Sequence, residues 1–168
     1  IVYGLTTGFG NLANVSISKD QAKDLQLNLI RSHATGTGNP SSYHVVRGTI
    51  LLRLVSLLEG VSGIKPENLH VLEKALNENI YIYVPEKGSL GASGDLAPLA
   101  HIVLALIGEG EVFDNGLRTD SLNYLNSHGI PALDLSSKEG LALINGTPFM
   151  TANWLDSYIQ AEKIVKYY

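Results

Sequence analysis

The run Gly88-Ser89-Leu90-Gly91-Ala92-Ser93-Gly94 opens as a glycine-rich loop and turns at Asp95 into the apolar segment Leu96–Ile107, which Gly108 closes. Asp95 is a favoured N-cap residue. Pro98 falls in the first turn, where a missing N–H removes no helical hydrogen bond. From Leu99 to Ile107 the only polar side chain is His101. A helix apolar on nearly every side is a buried helix, so the other segments have to be built around this one.

Most of those segments read as helices. Ser18 and Gln21 form a capping box, and the helix they open runs to about Ser32 with Ala22, Leu25 and Leu29 on one face. Ser42 to about Gly60 is the longest helical pattern of the first half, carrying Val46, Ile50, Leu54, Leu57 and Leu58 on its apolar side. Arg47 and Arg53 in that helix read as solvated or ion-paired positions. Pro66 suits a first helical turn, and the pattern Leu69, Leu72, Leu76 carries that helix to about Glu78. Ile80 to Val84 alternates and reads as extended. Asn115-Gly116 between Glu111-Val112-Phe113 and Leu117-Arg118 predicts a short surface hairpin. A short helix spans Ser121 to His128, and Ser136 with Glu139 reads as a second capping box opening a helix through Leu143. Thr147-Pro148 starts a long final helix. The expected fold is all-α, an antiparallel helical bundle with one small β-hairpin.

A chain of 168 residues with 45% apolar content supports one domain with a real core. A net charge of −4 and a pI near 5.7 argue against nucleic acid or an anionic membrane as partner. No apolar run reaches membrane-spanning length and no secretory pattern opens the sequence, so a cytoplasmic protein is expected. Cysteine is absent, and the five histidines are scattered without paired ligand spacing, so no metal site is expected.

Ala92-Ser93-Gly94 raises the central loop above packing. If the loop is compressed, the Gly94 amide nitrogen can approach the Ala92 carbonyl carbon and close a five-membered ring. Glycine permits that approach. Loss of the Ser93 hydroxyl then leaves an exocyclic methylene, a carbon electrophile that no ordinary side chain provides. Negative charge developing on such a ring faces the positive end of the helix beginning at Asp95.

This segment resembles the self-processed site of the aromatic amino acid ammonia-lyases, whose methylidene-imidazolone group is made from Ala-Ser-Gly. Tyr3-Gly4-Leu5-Thr6-Thr7-Gly8-Phe9-Gly10, Asn28-Leu29-Ile30-Arg31-Ser32-His33-Ala34 and Glu139-Gly140-Leu141-Ala142-Leu143-Ile144-Asn145-Gly146-Thr147 are similar to the family's other motifs, in its order. The resemblance implies that the chain is a fragment of the larger ammonia-lyase fold. Residues 1–84 would form its helical N-terminal part, and residues 85–168 the prosthetic-group loop and the start of the central bundle. It implies a prosthetic ring formed from Ala92, Ser93 and Gly94, with no metal and no external cofactor. Tyr3 takes the place of an acid–base group, Asp95 assists ring closure and caps its helix, and Asn145 touches the ring and substrate. Gly10 takes a place against the substrate. In members of the family that act on histidine, a Ser-His pair matching Ser32-His33 meets the substrate imidazole.

The activity implied is ammonia elimination from L-histidine to give urocanate, a step of histidine catabolism, with a small-molecule amino acid as substrate and a homotetramer as the assembly. The ring takes up either the substrate amine or its aromatic ring. A tyrosine or phenylalanine ammonia-lyase or an aminomutase is the alternative within the family. Outside it stands a non-catalytic folded fragment that self-associates, because the resemblance places the carboxylate-binding arginine beyond these residues.

Overall fold

The computed structural model describes residues 7, 8, 10, 13–16, 18–91 and 93–167. Two residues of the expected site, Tyr3 and Ala92, lie outside the described residues.

Seven helices carry most of the structure: α1 (Lys19–His33), α2 (Tyr43–Leu58), α3 (Pro66–Asn77), α4 (Leu96–Leu106), α5 (Ser121–Ser127), α6 (Glu139–Ile144) and α7 (Pro148–Lys166). Helix α4 is the apolar segment of the central motif, and eight of its eleven residues are buried. It packs against α1, α5 and α6. Helix α2 packs on α3 and α7, and its Ser42 caps it by accepting the Val45 N–H at 3.3 Å. Val46, Ile50, Leu54 and Leu57 are buried, whereas Leu58 is 63% exposed. Leu58 follows Leu57 by one residue, a rotation of about 100° that carries it off the stripe.

The expectation of a single hairpin needs correction. The hairpin is present, as β4 (Glu111–Asp114) and β5 (Leu117–Asp120), turning through Asn115 at φ 49° and Gly116 at φ 82°. It acquires a third antiparallel strand, β2 (Tyr81–Ile82), through Tyr81↔Phe113 and Ile82↔Val112. A separate two-stranded sheet pairs β1 (Thr37–Pro40) with β3 (Pro85–Lys87). Those segments flank the central loop, and their backbone groups find each other where helices leave them unpaired.

One expected cap and two expected surface arginines also work differently. Helix α6 begins at Glu139 after Lys138, which has φ 71°. Glu139 still reaches back to the Ser136 N–H at 2.7 Å, but its other oxygen accepts from the Lys65 N–H at 2.6 Å and from Asn68 at 3.0 Å, tying α6 to the start of α3. Burial works to raise the Glu139 pKa, and these donors outweigh it and hold the carboxyl below its ordinary value. Arg47 and Arg53 are not solvated. Arg47 is half-buried and donates to the Leu76 carbonyl at 2.6 Å, and Arg53 is buried.

No helix among the described residues is long and apolar enough to cross a membrane. Helix α7 nevertheless leaves Trp154, Tyr158, Ile164 and Val165 exposed, and α2 leaves Leu51, Val55 and Leu58 so. That is more apolar surface along two neighbouring helices than isolated exposed side chains provide.

Candidate active site

The central loop is held between three elements. Its far end passes into α4, with the Asp95 carbonyl accepting the Leu99 N–H at 3.1 Å. Its near end follows β3, with Gly88 at φ 145° so close to Gly36 that a side chain would meet the Gly36 Cα at 3.0 Å. The third element is the corner between α6 and α7. Asn145 donates its side-chain amide to the Ser93 carbonyl at 2.9 Å, and the Gly146 carbonyl accepts the Asp95 N–H at 2.7 Å. Gly94, at φ 116°, lies so near Gly146 that a Cβ would stand 2.8 Å from its oxygen and 2.9 Å from its nitrogen.

Asp95 caps, but not its own helix. Its fully buried carboxylate accepts the Ser89 hydroxyl at 2.7 Å and the Met150 N–H at 2.9 Å. Met150 is the third residue of α7, one of the N–H groups a helix start leaves without an internal partner, and Thr147 supplies no side-chain cap there. One carboxylate therefore fixes the loop, through Ser89, to the beginning of the last helix.

Two adjoining cavities open beside the loop. One of about 350 Å³ is lined by Gly10, Leu29, His33, Ser93, Leu96, Leu141, Ile144 and Asn145. The other, about 250 Å³, is lined by Ser32, His33, Thr35, Gly88, Leu90, Ser93, Gly94, Leu96 and Ala97. His33, Ser93 and Leu96 belong to both. The structure thus brings together Gly10, Ser32, His33, Ser93, Gly94 and Asn145, which lie far apart in sequence, and places Asp95 beneath them.

His33 sits at the C-terminus of α1, where its Nδ1 donates to the Leu29 carbonyl at 2.8 Å. Ser32 donates its hydroxyl to the same carbonyl at 3.0 Å. The pair Ser127-His128 repeats this arrangement at the end of α5, with Nδ1 donating to Tyr124 at 2.9 Å. A Ser-His pair is therefore a way of finishing a helix in this fold, and His128 does only that, stacked on Tyr124 at the surface. His33 differs in lining both cavities. Because a carbonyl only accepts, Nδ1 carries the proton in the neutral ring, and Nε2 is left as an acceptor.

A second imidazole supports the loop that follows α1. His101, in α4, accepts the Gly36 N–H on Nε2 at 3.0 Å, which requires that nitrogen to be unprotonated. Burial lowers its pKa, with Glu111 pulling weakly the other way. A lowered folded-state value means that the unfolded chain takes up its proton first as pH falls. The stabilisation is therefore complete above the ordinary value of about 6.5 and is lost as pH drops from there through the folded-state value. Hydrogen exchange of the full-length protein should show this. Between pH 7 and pH 5 the Gly36 amide is expected to lose protection after correction for intrinsic rates. His101→Gln, which keeps an acceptor that does not titrate, should flatten the change, and an equal loss in that variant would remove His101 as the cause.

The site has the features a ring made from residues 92–94 requires on the described side. There is no room for a Gly94 side chain, the Ser93 carbonyl is held by an amide, and the N-terminus of an eleven-residue helix begins two residues further on. Among the described residues, no cluster of three or more His, Asp or Glu is arranged to hold a metal ion.

Residues 1–168 match the family model described as aromatic amino acid lyase. The histidine ammonia-lyase of Bacillus cytotoxicus is 51% identical over 164 residues, covering 98% of this chain and 32% of that protein. Among solved structures, the histidine ammonia-lyase from Trypanosoma cruzi superposes with a TM-score of 0.88 at 39% identity, covering 98% of this chain and 31% of that one. The tyrosine aminomutase from Streptomyces globisporus gives a TM-score of 0.84 at 43% identity, covering 90% and 28%. The chain spans about a third of the length of the curated relatives it matches.

Proposed function

The chain belongs to the aromatic amino acid lyase family, and on that premise we propose that the full-length protein eliminates ammonia from L-histidine to give urocanate. The observation that carries the choice of substrate is His33, whose Nε2 has no partner among the described residues and belongs to a ring lining the same cavities as Ser93. An acceptor there pairs with an N–H of a substrate imidazole, which a phenyl or phenol ring does not offer at the same place. The 51% identity to a histidine ammonia-lyase supports the reading.

The ring formed from Ala92, Ser93 and Gly94 would supply a carbon electrophile that turns the substrate amine into a leaving group or acidifies its β-proton. Asn145 holds what becomes the ring oxygen, since its amide donates to the Ser93 carbonyl. The N-terminus of α4 places its positive end beneath charge developing on the loop. Gly10 closes one wall of the larger cavity without a side chain to exclude substrate. Tyr3 is proposed as the acid–base group. Asp95 acts from below, by fixing Ser89 and α7 about the loop.

Substrate carboxylate binding calls for a further group. Arg31 is paired with Glu109 at 2.6 Å, Arg118 with Glu111, Arg47 is bound to the Leu76 carbonyl, and Arg53 lies behind the α6–α7 corner. None of the four lines either cavity. The 168 residues by themselves are thus expected to fold without turnover and to associate through the exposed faces of α2 and α7, the arrangement of a non-catalytic self-associating unit. In the full-length protein a homotetramer is proposed.

The test is a side-by-side measurement of urocanate, cinnamate and coumarate formation. Full-length protein should form urocanate fastest, and His33→Leu should lower kcat/KM for histidine by roughly 10²-fold, the effect of losing one well-placed hydrogen bond to substrate. Faster coumarate formation would overturn the histidine assignment. The likeness to a tyrosine aminomutase favours the second reading, which a β-amino acid product from tyrosine would establish. Steady urocanate production by the 168-residue polypeptide would show that no further residues are needed.

A further inference from the structure

Arg53 is a buried cation. Among the described residues no carboxylate forms a salt bridge with it, and its Nε has no partner. Its Nη2 donates to the Ala142 carbonyl in α6, and its Nη1 to the Ser56 hydroxyl at 3.3 Å. Burial depresses its pKa, as expected for a charge taken from water. A hydrophobic side chain of similar volume would fill this place with less desolvation, so packing alone does not account for a guanidinium here.

Its position does. A Cβ on Gly146 would stand 2.6 Å from Arg53 Nη1, and a Cβ on Gly94 would stand 2.8 Å from the Gly146 oxygen. Guanidinium, Gly146 backbone and Gly94 backbone therefore lie close together at the α6–α7 corner. The two backbones are further fixed by Asp95 N–H donating to Gly146 and by Asn145 donating to Ser93. A planar fork anchored on Ala142 stands beside Gly146.

We propose that Arg53 is a positioning residue for formation of the prosthetic ring, holding the α6–α7 corner against Gly94 so that the segment carrying the ring-closing nitrogen stays compressed. The inference rests on the reading of Ala92-Ser93-Gly94 as the segment that cyclises. In that step a bond forms between the Gly94 nitrogen and the Ala92 carbonyl carbon. The carbonyl oxygen leaves as water with the Gly94 and Ser93 amide protons, and a C=N bond forms to the Ser93 nitrogen. A second water takes the Ser93 hydroxyl and α-proton, leaving a C=C bond. Two waters are lost and nothing is oxidised or reduced, so the step needs close approach rather than a co-reactant.

The test follows ring formation in freshly synthesised full-length protein by intact mass and by the near-ultraviolet absorbance of the conjugated ring. Arg53→Met, similar in length but without donors, should leave at least half of the chains without the two-water loss at a time when the parent is complete. Arg53→Lys, which keeps the charge and loses the fork, should fall between them. Turnover per cyclised chain should stay within about twofold of the parent with KM unchanged, a separation that general loosening of the site does not give. Complete cyclisation of folded Arg53→Met at the parent rate overturns the inference. If Arg53→Met does not fold, complete cyclisation of Arg53→Lys at that rate overturns it equally. A parent that shows no two-water loss overturns the ring reading itself.

Discussion

Ser93→Ala is expected to leave the full-length fold intact, abolish the two-water mass loss and lower turnover by at least about 10³-fold, some 4 kcal/mol of barrier. The fold should tolerate the change because the Ser93 side chain is exposed and its hydroxyl has no hydrogen-bond partner among the described residues. Asn145 grips the main-chain oxygen, which alanine keeps. A surface substitution of this kind changes stability by about 0.5 kcal/mol or less. The chemistry has no such tolerance, because a methyl group has no hydroxyl to lose and cannot become a methylene. Mass spectrometry and urocanate formation on the same sample separate the two effects. Normal turnover from a folded Ser93→Ala protein would rule out the ring as the electrophile.

Much of the helical frame was legible because its causes are local. Helix α2 begins at Tyr43, within a residue of where its pattern was read to start, the stripe Val46, Ile50, Leu54, Leu57 is buried, and Asn115-Gly116 makes the turn its residues demand. What escaped was non-local. β2 lies within the segment read as extended, but β1 and β3 are too short to show a pattern, and β1 finds β3 only because the fold brings segments some 45 residues apart together. Asp95 obeyed the rule that an aspartate satisfies helix-start N–H groups, but served Met150 rather than its own helix. No local pattern distinguishes the two.

The site was legible unevenly for the same reason. His33 was read as a substrate contact through the resemblance, and its geometry ends α1 while leaving Nε2 for such a contact. Only the resemblance singled out Asn145. Arg53 was misread as solvated or ion-paired. Its spacing gave a clue, since residues 46, 50, 53 and 57 follow the four-three-four rhythm of a buried face. The rule that arginine faces water overrode that rhythm.

Gly94→Ala is expected to do more damage than any other single methyl group added to the loop. At φ 116° the backbone occupies a region that L side chains rarely adopt, and the new Cβ would meet main-chain atoms of Gly146 at 2.8 and 2.9 Å. Neither side can yield cheaply. Gly146 is backed by Arg53 and bonded to the Asp95 N–H at 2.7 Å, and Ser93 is held by Asn145 at 2.9 Å. Strain and overpacking together should destabilise the loop by roughly 2–4 kcal/mol and open the contact that keeps the Gly94 segment compressed. The full-length variant should therefore fold, remain uncyclised by intact mass, and lose protection in hydrogen exchange at residues 89–95 and 145–150 together. Gly91→Ala is the control. Gly91 also has a positive φ, 67°, but nothing lies within 4 Å of its added Cβ, so the change should amount to about 1 kcal/mol and leave cyclisation complete. If Gly94→Ala cyclises as fully as Gly91→Ala, then contact between the loop and the α6–α7 corner is not what drives the ring closed.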